Sequence, residues 1–161
     1  MSAVTRPARV AVIGAGSASA EETATAEAVG AALARAGAVV ICGGLGGVME
    51  AAARGAVEAG GLTVGILPGS DASGANAWIR LPLATGMGEA RNALVVRAAE
   101  AVLAVGGEWG TLSEIALARK MGLDVALLGA PPAEGLGLPR FDDATEAAEW
   151  ALGRVRGRRM D

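Results

Sequence analysis

The stretch Arg9-Val-Ala-Val-Ile-Gly14 decides the fold class, because it is a short apolar run that ends in glycine. A strand buried on both faces has this composition, since helices cover both sides of a parallel sheet. Similar runs follow at 38–42, 62–67, 101–105 and 124–128, with helix-forming segments between them. This alternation predicts an α/β protein: a single Rossmann-like domain with a mostly parallel sheet and helices on both faces.

The segments between the strands are rich in helix formers, and glycines mark the ends of several of them. The predicted helices cover 21–36, 48–59, 89–99, 111–121 and 143–155. A further short strand is predicted at 78–81, and the arginine-rich segment 154–159 is expected to be a frayed, solvated tail. The prediction is therefore one domain over residues 1–161, with 1–8 and 156–161 as flexible tails.

The composition excludes several classes of function. The 161 residues include no histidine and one cysteine, Cys42, which leaves no intramolecular disulfide, no cysteine-based zinc site and no histidine base. A net charge of −3 argues against nucleic acid as the main partner. No apolar run approaches the ~18 residues of a membrane span, and the first residues lack a signal-peptide core. We expect a cytoplasmic protein without metal, cofactor or membrane partner.

The segment Val105-Gly-Gly-Glu-Trp-Gly-Thr-Leu-Ser-Glu114 carries the strongest functional signal. A strand runs into two glycines, and a helix is predicted to begin at about Thr111. Glycines leave room for a ligand beside the main chain, and the first amides of a helix have no internal partners. The helix dipole also places positive charge at this end. Gly106, Gly107, Gly110 and Thr111 are therefore predicted to bind an anion such as phosphate.

Thr111 and Glu114 also fit a purely structural pattern, the capping box, in which the two residues satisfy each other's backbone donors at a helix start. Capping does not require three glycines, nor the neighbouring Trp109, just before the helix. These additional residues favour ligand binding in the loop.

Three other glycine-containing turns support a shared cleft, because ligands in such sheets bind beyond the carboxyl ends of the strands. The residues of these turns that are predicted to contact the ligand are Gly14, Gly16, Ser17, Gly43, Gly44, Gly47, Met87 and Asn92. The glycines at 43–47 could instead permit close packing of helix on strand, and Arg91 could be a surface arginine paired with a glutamate. NAD is not expected, since no acidic residue ends the second predicted strand to hold its ribose.

Three motifs together resemble the LOG family of the SLOG Rossmann superfamily over roughly residues 8–130. They are Gly43-Gly44 to Glu50, Met87-Gly-Glu-Ala-Arg91-Asn92, and Gly106-Gly107-x-x-Gly110-Thr111-x-x-Glu114. Characterised members are homodimeric phosphoribohydrolases, which cleave a nucleoside 5′-monophosphate to its base and ribose 5-phosphate. The resemblance implies Arg91 and Glu114 as catalytic residues, a phosphate on the glycine–threonine motif, and a homodimer with the site near its interface.

Two positions depart from the LOG pattern. Val105 stands where the family usually has proline, and Asn92 stands where lysine usually follows the arginine. These variants resemble a branch with proteins like molybdenum-cofactor carriers, which bind a phosphorylated pterin without cleaving it. Three functions follow: a phosphoribohydrolase, a non-catalytic carrier or sensor of a phosphorylated ligand such as molybdenum cofactor, or a structural dimer whose glycines serve packing alone.

Overall fold

The first apolar run forms strand β1 (Arg9–Gly14), which lies near the centre of a seven-stranded sheet. The computed structural model describes residues 5–161. Val10, Ala11 and Val12 expose no surface to solvent. Every strand pair is parallel. The predicted α/β fold of Rossmann type is therefore confirmed.

The chain builds the sheet in two directions from β1. The other strands are β2 (Val39–Cys42), β3 (Thr63–Leu67), β4 (Leu81–Ala84), β5 (Ala101–Val105), β6 (Asp124–Leu128) and β7 (Arg140–Phe141). Their order across the sheet is β4-β3-β2-β1-β5-β6-β7, so β5 returns to the centre and pairs with β1. A crevice forms where the strand order reverses, beyond the carboxyl ends of β1 and β5, and sheets of this class bind ligands there.

Helices cover both faces of the sheet. They are α1 (Ala20–Arg35), α2 (Val48–Glu58), α3 (Asn92–Arg97), α4 (Trp109–Lys120) and α5 (Ala144–Met160), and a 3₁₀ turn at Gly88–Arg91 leads into α3. The first, second and fifth helices share one apolar core with the sheet, while α3 and α4 share the other. Among residues 5–161, no helix has the length and apolar character needed to span a bilayer.

Several element boundaries differ from the prediction. The strand expected at 78–81 lies instead at 81–84, because the Thr63 hydroxyl donates to the Trp78 carbonyl (2.6 Å) and accepts from the Arg80 amide (2.9 Å). These hydrogen bonds use the backbone of 78–80 in a turn. The two-residue strand β7 was not predicted, and α4 begins two residues before Thr111.

The arginine-rich end of the chain is helical, in place of the predicted tail at 156–161. α5 continues to Met160, and Arg159 donates two hydrogen bonds to the carboxylate of Glu100, at 2.8 and 2.7 Å. The same guanidinium binds the carbonyls of Arg6 and Pro7. Residues 1–4 of the predicted N-terminal tail lie outside the described residues.

Two glycines allow α1 and α2 to pack backbone against backbone. A Cβ on Gly30 would lie 2.0 Å from the carbonyl oxygen of Ala52, and one on Gly55 would lie 2.0 Å from that of Glu27. Neither glycine has a positive φ. The lack of space, and not the backbone conformation, therefore requires glycine at both positions.

We expect Gly30→Ala to lower the free energy of unfolding by about 1–3 kcal/mol, because a helix backbone must move to admit the methyl group. The matched control is Gly153→Ala in α5, where a Cβ meets no atom within 4 Å. That change should raise the free energy of unfolding by roughly 0.5–1 kcal/mol. Urea unfolding followed by circular dichroism measures both, and a stabilising Gly30→Ala would contradict the close contact.

Candidate functional site

A cleft of about 130 Å³ opens at the point where the strand order reverses. Its lining comes from the turn after β1, from α2, from the segment that leads into α3, and from the start of α4. The lining residues are Gly14, Ala15, Gly16, Met49, Arg91, Asn92, Glu108, Gly110, Thr111 and Glu114. A wider mouth of about 610 Å³ adjoins the cleft and shares Arg91, Asn92 and Gly110 with it.

The start of α4 presents backbone amides that find no acceptor in the part of the chain that the structure describes. Glu108 is the N-cap, with an extended backbone (φ −130°, ψ −161°), and its side chain makes no capping hydrogen bond. The amide of Leu112 binds the Glu108 carbonyl at 2.9 Å. The preceding amides of Trp109, Gly110 and Thr111 have no acceptor within residues 5–161. These donors, with the positive end of the helix dipole, suit an anion.

The capping-box interpretation of Thr111 and Glu114 is wrong. Because α4 begins at Trp109, Thr111 is its third residue and cannot be its cap. A real capping box stands at the start of α1, where the Ser19 hydroxyl accepts from the Glu22 amide (3.1 Å) and the Glu22 carboxylate accepts from the Ser19 amide (2.9 Å). Thr111 and Glu114 are instead buried on the cleft side of α4.

Glu114 places a carboxyl group in the cleft with no hydrogen-bond partner within residues 5–161, and the residue is only 7% exposed. Burial raises the pKa of this carboxyl from 4.5 to about 7, against the opposing effect of the Arg91 charge. Arg91 and Glu114 form no ion pair, although both line the cleft. A carboxyl with a pKa near neutrality can give or take a proton at physiological pH.

Arg91 is held in place by the protein itself. Its Nε donates to the carbonyl of Ile66 (2.9 Å), and its two terminal nitrogens donate to the carbonyl of Gly43 (3.4 Å) and to the side-chain oxygen of Asn92. The guanidinium has five N–H donors, so two remain for a ligand. Burial lowers the pKa of Arg91, while the nearby Glu114 opposes this effect. The alternative of a surface arginine paired with a glutamate is wrong, since the residue is 8% exposed and forms no ion pair.

The predicted glycines of the first two turns have different roles. Gly14 and Gly16 line the cleft, and a Cβ on Gly16 would meet only the Met49 methyl group, at 3.9 Å. Gly47 has a positive φ of 63°, and its Cβ would lie 2.2 Å from the carbonyl oxygen of Ala15. Gly47 therefore lets the second turn pack against the first, which is a contact between turns and not the predicted packing of helix on strand.

Four other predicted glycines line neither the cleft nor its mouth. A Cβ on Gly43 would lie 2.9 Å from a terminal nitrogen of Arg91, and one on Gly44 would lie 2.5 Å from Leu67.

Gly106 and Gly107 have positive φ values of 57° and 128° and form the bend before α4. A Cβ on Gly106 would lie 2.1 Å from the Glu22 carboxylate, and one on Gly107 would lie 2.6 Å from the Thr111 side chain. These four positions need glycine for reasons of space or conformation.

The structure also separates predicted residues from missed ones. Ser17 and Met87 are exposed and line neither the cleft nor the mouth. The residues not predicted are Ala15, Met49 and Glu108 in the cleft, and Leu45, Pro68, Gly88, Glu89 and Ser113 at the mouth. All of these except Pro68 lie within two positions of a predicted residue, so extending each motif by two positions finds them. The role of every one in ligand binding stays a prediction.

Neither a metal cluster nor a reactive thiol accompanies the cleft. Within residues 5–161, no three side chains of histidine, cysteine, aspartate or glutamate lie close enough to hold a metal ion. Cys42 is fully buried, and burial raises the pKa of its thiol to about 11. A thiol of this kind is a poor nucleophile at neutral pH.

A family model, a relative and several solved structures each match most of this chain. The model of the SLOG cluster4 family matches residues 7–149. An uncharacterized protein of Archaeoglobus fulgidus is 44% identical over 144 residues, which cover 89% of this chain and 94% of the relative. Two solved structures are similar over nearly their whole length.

The first is the molybdenum cofactor binding protein of Rippkaea orientalis, with a TM-score of 0.87 and 31% identity over 93% of this chain and 98% of that one. The second is the molybdenum cofactor carrier protein of Chlamydomonas reinhardtii, with a TM-score of 0.84 and 29% identity over 94% of this chain and 99% of that one.

The buried carboxyl predicts a pH-dependent stability. Because the pKa of Glu114 is higher in the folded chain, the native state binds more protons between pH 4.5 and about 7. The free energy of unfolding should therefore fall as pH rises through this window, by roughly 3 kcal/mol from this group. Glu114→Gln should remove that contribution and be the more stable protein at pH 8.

The matched control is Glu108→Gln, because Glu108 also lines the cleft but is exposed. In this variant, the free energy of unfolding should change with pH as it does in the parent chain. Urea unfolding at pH 5, 6, 7 and 8 measures all three proteins, and a Glu114→Gln variant with the parent's slope would refute the buried titration.

Proposed function

The chain belongs to the SLOG cluster4 family, and from this membership and the geometry of the cleft we propose that it is a carrier of a phosphorylated pterin of the molybdenum-cofactor kind. The observation that carries the proposal is the set of free amides at Trp109, Gly110 and Thr111, at the positive end of α4. They bind the ligand phosphate in the cleft where the strand order reverses. This function is the alternative that the sequence left open.

Three further findings support a carrier. The solved molybdenum-cofactor proteins match this chain over more than nine-tenths of both lengths. Val105 and Asn92 occupy the two positions where the chain departs from the hydrolase pattern. Arg91 commits three of its donors to protein acceptors, so it orders the site more than it grips a ligand.

The two adjoining spaces suit a ligand with a phosphate and a larger body. The cleft of about 130 Å³ holds the phosphate, and the mouth of about 610 Å³ is within the usual range of roughly 300–1,000 Å³ for small-molecule pockets. In this proposal the metal arrives as part of the cargo, and the chain supplies hydrogen bonds and shape.

A homodimer and a cytoplasmic location belong to the same proposal. Four large apolar side chains near the β4 edge of the sheet are each 44–48% exposed, namely Leu62, Leu81, Leu83 and Met87. Apolar surface of this kind commonly marks a protein interface. A second copy of the chain would remove it from water.

Hydrolysis of a nucleoside monophosphate is the second candidate, and one observation favours it. Glu114 is a buried carboxyl without a hydrogen-bond partner among the described residues, and its pKa of about 7 suits proton transfer at neutral pH. A carboxylate at this position could stabilise the oxocarbenium-like state of glycosidic cleavage and orient the attacking water. The carrier and the hydrolase share the phosphate site and differ in whether the bond to the base is broken.

The phosphate site predicts a specific effect of proline at the first position of α4. Proline is well tolerated there, and Glu108 before it already has the extended backbone that proline requires. Trp109→Pro removes one free N–H, whereas Trp109→Ala keeps it. We expect the Kd for inorganic phosphate to be at least tenfold higher in Trp109→Pro, since a hydrogen bond to a charged group contributes about 1.5–3 kcal/mol.

Calorimetric titration at constant ionic strength measures both values, and circular dichroism checks that both variants fold. Equal phosphate affinity in the proline and alanine variants would mean that this amide does not bind the anion.

The two candidate functions predict different fates for AMP. A carrier leaves AMP intact over hours, whereas a phosphoribohydrolase releases adenine, which chromatography detects. If adenine appears, Glu114→Gln should lower the rate of adenine release at least 100-fold, because glutamine has the shape of glutamate but cannot transfer the proton. Glu134→Gln is the matched control and should keep the rate, because Glu134 is exposed and lines neither the cleft nor its mouth. Release of adenine by the unaltered chain would overturn the carrier proposal.

A further inference from the structure

Trp109 is exposed to an extent that packing does not explain. It is 84% exposed, although it is the first residue of a helix whose other side contributes to the core. Trp150, by contrast, is partly buried, with its ring 5.9 Å from that of Phe141 and 5.5 Å from the Arg154 guanidinium. An indole left in water adds little stability to the fold, so the Trp109 side chain is available to contact a ligand.

The indole lies beside the anion site. Trp109 lines the wide mouth together with Leu45 and Pro68. Its neighbour Gly110 lines both the mouth and the small cleft. A ligand that is bound through its phosphate at the α4 amides therefore has its remaining atoms next to an apolar, planar side chain.

We propose that Trp109 is a stacking platform for the planar heterocycle of the ligand and so determines which phosphorylated molecules the site selects. This inference rests on the proposed function, because the phosphate fixes the ring beside the indole. Aromatic side chains stack with heterocyclic rings through their faces, and they do so with little dependence on the ring's substituents. Leu45 and Pro68 add apolar surface to the same mouth.

The platform gives the site a preference that the amides alone cannot supply. Backbone donors bind any accessible phosphate, including those of small sugars and polyols. Stacking on one aromatic residue strengthens binding of a nucleic-acid base by about 5- to 150-fold. A preference of this size for ring-bearing phosphates is therefore expected.

Two probes that differ in the ring test this inference. Neopterin monophosphate carries a pterin and no glycosidic bond, and glycerol 3-phosphate carries the phosphate without a ring. We expect the parent chain to bind neopterin monophosphate at least tenfold more tightly in calorimetric titrations. Trp109→Ala should bring the ratio of the two affinities close to one, and Trp109→Phe should keep most of it. Trp150→Phe is the matched control and should keep the full ratio.

The indole signals in a ¹H–¹⁵N spectrum provide a readout that does not depend on stability. The signal missing in Trp109→Phe should shift when neopterin monophosphate is added to the parent chain, and it should shift much less with glycerol 3-phosphate. The signals of Trp78 and Trp150 should move less than that of Trp109.

The outcomes separate this inference from the function on which it rests. If the parent chain binds both probes with equal affinity, or if Trp109→Ala keeps the parent's ratio, the stacking role is overturned while the anion site stands. If the parent chain binds neither probe, both proposals fail. If Trp109→Ala changes the oligomeric mass in solution but not the ratio, the indole belongs to a protein contact and the inference is overturned.

Discussion

The Arg91 guanidinium donates hydrogen bonds to the carbonyls of Ile66 and Gly43, and the site depends on this interaction. It joins the end of β3 and the turn after β2 to the start of α3, three segments that are far apart in the chain. The charge is buried without a carboxylate partner, so backbone carbonyls compensate it and the geometry is fixed. This wall of the cleft is therefore ordered without a ligand, and an ordered wall lowers the conformational free-energy cost of binding.

The cleft combines this one cation with three carboxyl groups, Glu108 and Glu114 in the cleft and Glu89 at its mouth. Under the proposed function, the attraction for a phosphate comes largely from the uncharged backbone amides at the start of α4. The charge in the cleft also changes with the protonation of Glu114, whose pKa burial raises to about 7.

Much of the fold was predictable, because strands that are buried on both faces have nearly continuous apolar sequences, such as Arg9–Gly14. The site was predictable in part. The glycines near 106–110 indicated free helix amides, but the Thr111-x-x-Glu114 spacing fitted both a cap and a cleft, and only the helix start at Trp109 separates them. The acceptors of Arg91 could not be predicted, since they depend on strand order. The turn at 78–80 arises from one hydroxyl, that of Thr63, which no periodic pattern encodes.

The two borders of the sheet differ from its interior in a way that affects behaviour at high concentration. Parallel strands leave unpaired main-chain groups at each border, and these can recruit further chains into fibres. Here β7 is only two residues long, and β4 contains Pro82, which has no N–H to offer. Both features disfavour the addition of a further strand, although Leu81 and Leu83 leave apolar surface at the β4 edge. An apolar edge of this kind can stand in water with less tendency to grow into a fibre.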